Sequence, residues 1–293
     1  MESDKTLVFI ASGGRTGTMF LGNRLQEVIE DCFSVHEPDI LSSSPRRLLD
    51  GKLARSLRDF GFRQVVFDRL LGRSGLRVHG TRLITGAASP ADCIARVRAE
   101  RMPYHAGIPQ GMIVESYGPW WMFAEIIDQI WPGAALVGIV RDPRTWIRSW
   151  QSHQPRRRNG TATEWLPPGL IDPSRTGDAV WAARWNEIGQ VGRLAWEWAL
   201  IAEHLLRAAA ANERVRLYRF EDLFAPDGER MRDLMHFVAN SGKAPRHVAD
   251  LDGFTAGRIN RSREGGKLPD DWSCKEESLL QEICGPVLMN FGY

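Results

Sequence analysis

Between the apolar run Thr6–Ala11 and the helical pattern Met19–Glu30 the chain reads Ser12–Gly13–Gly14–Arg15–Thr16–Gly17–Thr18. This turn constrains the fold more than any other stretch. Glycines let a backbone turn tightly out of a strand and approach a ligand closely. The helix that follows directs unsatisfied N–H groups and the positive end of its dipole at the same point, which favours an anion. Thr16 and Thr18 add hydroxyls and Arg15 adds a charged fork. The segment Gly14, Arg15, Thr16, Gly17, Thr18 and Met19 is therefore expected to cradle a phosphate-type group; the plain alternative is a glycine-rich turn with no ligand. It is not a Walker A loop, which would place Lys at 18 and Ser or Thr at 19. Thr18 and Met19 stand there instead, and Ser12 occupies the leading glycine position.

The rest of the chain repeats the strand-then-helix order. Phe33–Val35, Gly111–Glu115, Ala135–Val140 and Arg214–Tyr218 are further short apolar runs. Helical patterns cover Trp120–Ile130, Pro143–Ser152, Asp178–Ala211, Glu229–Asn240 and Glu276–Met289, with Gly189 and Gly192 as break points in the long one. This predicts an α/β fold with a doubly wound, mainly parallel central sheet of about five strands and helices on both faces. Residues 1–293 are expected to form a single domain. A helical, arginine-rich insertion at about 39–110, with helix-like pieces near Pro45–Phe60 and Ala91–Met102, interrupts the alternation. A flexible loop at about 153–177 does so again. Both are candidates for a cap over an acceptor, and a solvated surface loop is the competing reading of the second.

At the end of the fourth run stands Val140–Arg141–Asp142–Pro143–Arg144, with Ser149 eight residues after Arg141. Asp142 suits a helix N-cap and Pro143 the first helical position. Arg141 then lies at the carboxyl edge of the sheet, where ligands bind in this architecture. Arg141 with Ser149 can hold a second phosphate, separate from the one at the glycine loop.

Together these stretches resemble the PAPS-dependent sulfotransferases, which use 3′-phosphoadenosine 5′-phosphosulfate (PAPS) and release 3′-phosphoadenosine 5′-phosphate (PAP). Arg15–Thr16–Gly17–Thr18–Met19 matches the family's 5′-phosphosulfate loop. Arg141–Asp142–Pro143–Arg144 with Ser149 matches its 3′-phosphate element. Arg219–Phe220–Glu221–Asp222–Leu223 looks like its Y-E-D-L element with Phe first. Asn260–Arg261–Ser262, Trp272 and the ending Phe291–Gly292–Tyr293 look like bacterial members. The resemblance covers the cofactor half of the chain and leaves Asp39–Gln110 almost untouched. It implies a P-loop NTPase-like sulfotransferase fold. It also implies PAPS as cofactor, held by Gly14 to Met19, Arg141, Ser149, Asn260 and Arg261, and sulfuryl transfer to a hydroxyl acceptor.

Such a transfer needs a base for the acceptor proton and positive charge at the leaving phosphate, the latter assigned to Arg15. The base is expected at His36–Glu37–Pro38, at the end of the second strand. Family members use either a His or a Glu near this point; Glu37 is preferred and His36 stays open. Glu115–Ser116 is a further candidate for acceptor contact or base support. Glycan, lipid, peptide tyrosine and secondary-metabolite hydroxyls all remain open as acceptors.

Composition supplies exclusions. Of 38 basic residues only Lys5, Lys52, Lys243, Lys267 and Lys275 are lysine, yet the net charge is +2, so nothing global points to nucleic acid. No apolar stretch reaches membrane-spanning length and no signal-peptide core follows Met1, so a cytoplasmic protein without stable membrane insertion is expected. Cys32, Cys93, Cys274 and Cys284 match no metal spacing, and the histidines beyond His36 form no ligand cluster, so no metal is expected. The eleven tryptophans read mostly as core. Two competing functions remain: a nucleotide-dependent phosphotransferase, which would need the missing Walker lysine, and a non-catalytic nucleotide-binding module.

Overall fold

The computed structural model describes residues 5–39, 51–153, 171–249, 254 and 272–293. Thr6–Ser12 (β1), Cys32–His36 (β2), Met112–Ser116 (β3), Ala135–Val140 (β4) and Val215–Arg219 (β5) form one all-parallel sheet in the order β2-β3-β1-β4-β5. The five expected runs are these five strands. β3 and β4 are buried at every position and β1 at all but its first. A parallel sheet covered on both faces leaves no solvent side, so its strands are continuous apolar runs rather than alternating ones.

The helices are Thr18–Val28 (α1), Lys52–Phe60 (α2), Leu76–Ile84 (α3), Pro90–Ala106 (α4), Pro143–His153 (α5), Ala179–Arg184 (α6), Gly189–Ala211 (α7), Glu229–Ala239 (α8) and Cys274–Leu288 (α9). Leu7, Phe9 and Leu136 pack on one side of the sheet with α4, α7 and α9, whereas Val8, Ile10 and Val137 pack on the other with α1 and α8. Each face is thus an apolar core of its own. No helix among the described residues is long and apolar enough to cross a membrane.

Two helical expectations are adjusted. Trp120–Ile130 folds as a 3₁₀ segment, Gly118–Ile126, followed by a single α turn, Ile127–Ile130. Trp120 to Ala124 are all buried, so no amphipathic stripe selects the α period there. Asp178–Ala211 breaks at Gly189, whose φ is +63°, while Gly192 stays inside α7. A Cβ on Gly192 would meet Leu279 of α9 at 2.9 Å, so this glycine permits close helix packing rather than a break.

The insertion is helical as expected, although its detail differs. The piece near Pro45–Phe60 is seen as α2; residues 45–50 lie outside the described residues. The piece near Ala91–Met102 runs longer, as α4, with Pro103 inside it. A π-helical turn, Arg63–Asp68, and all of α3 were unforeseen. Of the expected loop at 153–177, residues 154–170 lie outside the described residues, and Pro173–Thr176 is one helical turn capped by Asp172.

Candidate functional site

β1 lies between β3 and β4, so the chain leaves it to one side for β2 and β3 and reaches the other side for β4 and β5. A sheet of this kind opens a crevice where the strand order diverges, at the carboxyl ends. The loop from Gly13 to Gly17 stands there. Gly14, Arg15 and Gly17 have φ of 78°, 58° and 78°, and Gly14 N–H donates to Ser12 Oγ at 3.0 Å. Runs of backbone that mix right- and left-handed residues turn successive N–H groups inward, the arrangement that binds anions. At Gly17 only glycine fits, because a Cβ would come 2.5 Å from Phe224 Cζ. Thr16 is buried and its Oγ1 has no hydrogen-bond partner among the described residues. A buried hydroxyl without a partner is costly, and a ligand oxygen at this loop would relieve it. Thr18 opens α1, and its carbonyl accepts from Ser116 Oγ at 2.7 Å.

The Arg141 element docks directly on this loop. Asp142 Oδ1 accepts the Arg144 N–H at 2.7 Å, the capping role expected of it, and α5 starts at Pro143. From α5, Trp146 Nε1 donates to Gly14 O at 2.9 Å and Ser149 Oγ accepts from Arg15 Nε at 3.1 Å. Arg141 Nη1 donates to Arg15 O at 3.0 Å, and its Nε to Thr145 Oγ1 at 3.0 Å. Residues more than 120 positions apart in sequence therefore meet at Arg15, and the two expected phosphate subsites adjoin through that side chain. Burial lowers the Arg15 pKa. Burial also lowers that of Arg141, which Arg15 lowers further while Glu221 opposes. Two partly desolvated guanidinium groups repelling each other are the electrostatic complement of an anion.

The Arg219–Leu223 element and the chain's last residue brace Arg141 from behind. Arg141 lies 4.6 Å over the Phe220 ring. Glu221 Oε1 accepts the Asp142 N–H at 3.1 Å, and Tyr293 OH donates to Glu221 Oε2 at 2.6 Å. Trp198 Nε1 of α7 donates to Arg141 O at 2.8 Å.

His36 and Glu37 end β2, which is separated from β1 by β3. His36 packs on α1 instead: a Cβ on Gly22 would touch the His36 backbone nitrogen at 2.9 Å. His36 is buried and its Nδ1 donates to Ser116 O at 2.9 Å. Its Nε2 lies 3.6 Å from Glu37 Oε2. Glu37 is partly exposed, with a side chain 22% accessible and a φ of 50°. Left-handed backbone at a non-glycine residue is sparsely populated and collects at functional sites.

Beside Glu37 lies a buried charged network that the sequence did not disclose. Asp39 Oδ2 pairs with Arg101 Nη2 at 3.2 Å and accepts the Leu76 N–H at 2.9 Å. Arg101 Nε pairs with Glu115 Oε2 at 3.3 Å, and His105 Nε2 lies 2.6 Å from Glu115 Oε1. Phe60 and Trp120 rings flank the Arg101 guanidinium at 5.1 and 6.0 Å. Burial alone would raise the Asp39 pKa, but Arg101 and Arg69 hold it below the ordinary carboxyl value. Glu115, a sequence candidate for acceptor contact or base support, is fully buried in this network against Arg101 and His105. Spacing was the available signal: Arg101 and His105 are four apart, hence on one helical face.

Ser149, Arg141 and Gly14 to Met19 are thus gathered at one sheet edge, with Glu37 and His36 at the end of β2 on the same edge. Asn260 and Arg261 lie outside the described residues. Compared with known proteins, the chain matches no family model and no curated sequence.

Proposed function

We propose that the chain is a sulfotransferase that moves a sulfuryl group from PAPS to an acceptor hydroxyl. The observation that carries this reading is the convergence of Arg15, Arg141 and Ser149 on one loop beside the partnerless Thr16 hydroxyl. The residues present fit an anionic nucleotide: two partly desolvated cations, a loop of left-handed Gly14, Arg15 and Gly17 backbone and no Walker lysine. When bound, PAPS supplies a sulfuryl group already activated on its 5′-phosphate.

The chain's own residues then divide the work. Gly14 to Thr18 hold the 5′-phosphate, and Arg15 stabilises the charge that grows on its leaving oxygen. Arg141 and Ser149 hold the 3′-phosphate. Glu37 accepts the proton of the acceptor hydroxyl, with His36 fixed by its bond to Ser116 and turned towards Glu37. A group that takes the proton as the bond forms keeps the attacking oxygen nucleophilic without a free alkoxide.

Calorimetric titration with PAP, ATP and 5′-AMP tests the assignment. Micromolar PAP binding that needs the 3′-phosphate and weakens at least tenfold (about 1.4 kcal/mol) in Arg141→Ala is the expected result. Absence of PAP binding, or a preference for ATP with magnesium, overturns it.

A further inference from the structure

Seven large apolar side chains stand exposed among the described residues, and four of them, Phe62, Phe67, Leu70 and Leu71, fall within ten positions of the insertion. They are 60%, 58%, 51% and 55% exposed. Phe62 and Phe67, five positions apart along the π-helical turn, meet edge to face with ring centroids 5.6 Å apart, and Leu70 and Leu71 follow three and four positions after Phe67. This face turns outward, while Val65 is buried on the other side. The segment thus carries large apolar side chains on its outer side as well as its inner one.

The charge around this face is lopsided. Residues 51–84 carry eight Lys or Arg against Asp59 and Asp68 alone, whereas the rest of the chain holds 30 basic against 34 acidic residues. Arg58 and Arg63 are exposed, with side chains 74% and 88% accessible. The two acids are half-buried against these arginines, Asp59 on Arg58 and Asp68 on Arg63. Arg73 and Arg77 are exposed as well.

We propose that this face of the insertion docks the protein peripherally on an anionic lipid bilayer. Exposed apolar side chains within ten positions, rimmed by arginine and without free carboxylates, match the headgroup boundary: the rings and leucines enter the acyl edge while the guanidiniums meet lipid phosphates. The core of a protein–protein interface is instead depleted of charge. Single-stranded nucleic acid would use aromatic stacking platforms along a basic groove, and two of the four side chains are leucine. The face is tied to the rest of the molecule by Arg69, between Asp68 and Leu70, which turns inward beside Asp39 and Tyr117. The proposal does not depend on the sulfuryl-transfer reading.

Flotation of the full chain with phosphatidylglycerol vesicles, against phosphatidylcholine vesicles, tests it at low and high salt. Binding to the anionic vesicles that weakens with salt is expected, with little binding to the neutral ones. The triple variant Phe67→Ser, Leu70→Ser, Leu71→Ser should abolish it. Arg58→Gln and Arg63→Gln should each reduce partitioning about fivefold. All three apolar positions are more than half exposed, so circular dichroism should stay unchanged and the melting temperature nearly so, which separates lost docking from lost folding. No partition onto anionic vesicles, or partition untouched by the triple variant, overturns the proposal. So does a dimer in sedimentation velocity, or a complex with single-stranded RNA, that the triple variant abolishes in the absence of vesicle binding.

Discussion

Under the proposed sulfuryl transfer, Glu37 is the side chain whose loss should separate catalysis from nucleotide binding. Its backbone φ of 50° and the Ser116 carbonyl that accepts both its N–H, at 3.2 Å, and His36 Nδ1, at 2.9 Å, hold the pair at the sheet edge. His36 Nδ1 carries the proton, so in the neutral ring Nε2 is the acceptor, 3.6 Å from Glu37 Oε2. The imidazole is buried and faces the carboxylate, whereas Glu37 retains solvent contact. Glu37→Gln keeps shape and removes the base, so transfer of radiolabelled sulfate from PAPS to a hydroxyl acceptor should fall by about 10²–10⁴. PAP affinity measured by calorimetry should not change. If His36→Asn is the more damaging of the two, the histidine is the base and Glu37 orients it.

At the scale of elements, the glycine loop and the buried network hold the site by different means. The loop depends on backbone freedom. Gly17→Ala places a methyl group against Phe224 and forces a residue with a Cβ to φ 78°, a strain of about 1–3 kcal/mol. Reduced melting temperature together with PAP binding weakened at least tenfold is expected, and unaltered binding would show that the loop does not touch the nucleotide. The network depends on charge. Arg101→Met removes the cation that bridges Asp39 and Glu115, leaving only Arg69 near the first and His105 beside the second, and should cost about 3–5 kcal/mol in denaturant unfolding. Because the folded Asp39 pKa is depressed, its contribution is present above the unfolded carboxyl value and is lost as pH falls through the folded one. Asp39→Asn should therefore be less stable at neutral pH and show a flatter decline in acid.

The same contrast explains what could be read in advance. The five strands were legible because burial on both faces leaves unbroken apolar runs such as Ala135–Val140. The loop and Arg141 were legible because each follows a strand in sequence, and strand ends define the ligand edge. Helix α3 was not, since Leu76–Ile84 buries His79, Gly80 and Thr81 and so shows no apolar stripe. Nor was the network: Asp39, Arg101 and Glu115 come from three separate segments, and only tertiary packing makes them neighbours. The meeting of Arg15 with Ser149, which joins the two stretches expected to bind phosphate, is equally non-local.

Whether the insertion and the sheet unfold as one body is a question for the whole molecule, and the cysteines sample it. Cys32 lies on β2, Cys93 on α4 and Cys284 on α9, all buried, while Cys274 at the start of α9 is exposed. Burial pushes the Cys32 thiol up to about 12 and raises those of Cys93 and Cys284 as well, so none of the three reacts readily in the native state. Cys93 Sγ also donates to His79 O and Cys284 Sγ to Ala195 O, each at 3.5 Å, tying α4 to α3 and α9 to α7. A thiol reagent under native conditions should modify one cysteine quickly, and the other three only through opening. Asp39, Arg101, His105 and Glu115 join the insertion to the ends of β2 and β3 through buried ion pairs. Separating these parts would strand charges in an apolar interior, so opening the insertion alone should be nearly as costly as unfolding the domain. Cys93 is accordingly expected to react at the same rate as Cys32 and Cys284, with the same denaturant dependence. If mass spectrometry finds Cys93 modified well ahead of the other two, the insertion opens on its own and the ion pairs do not couple it to the sheet.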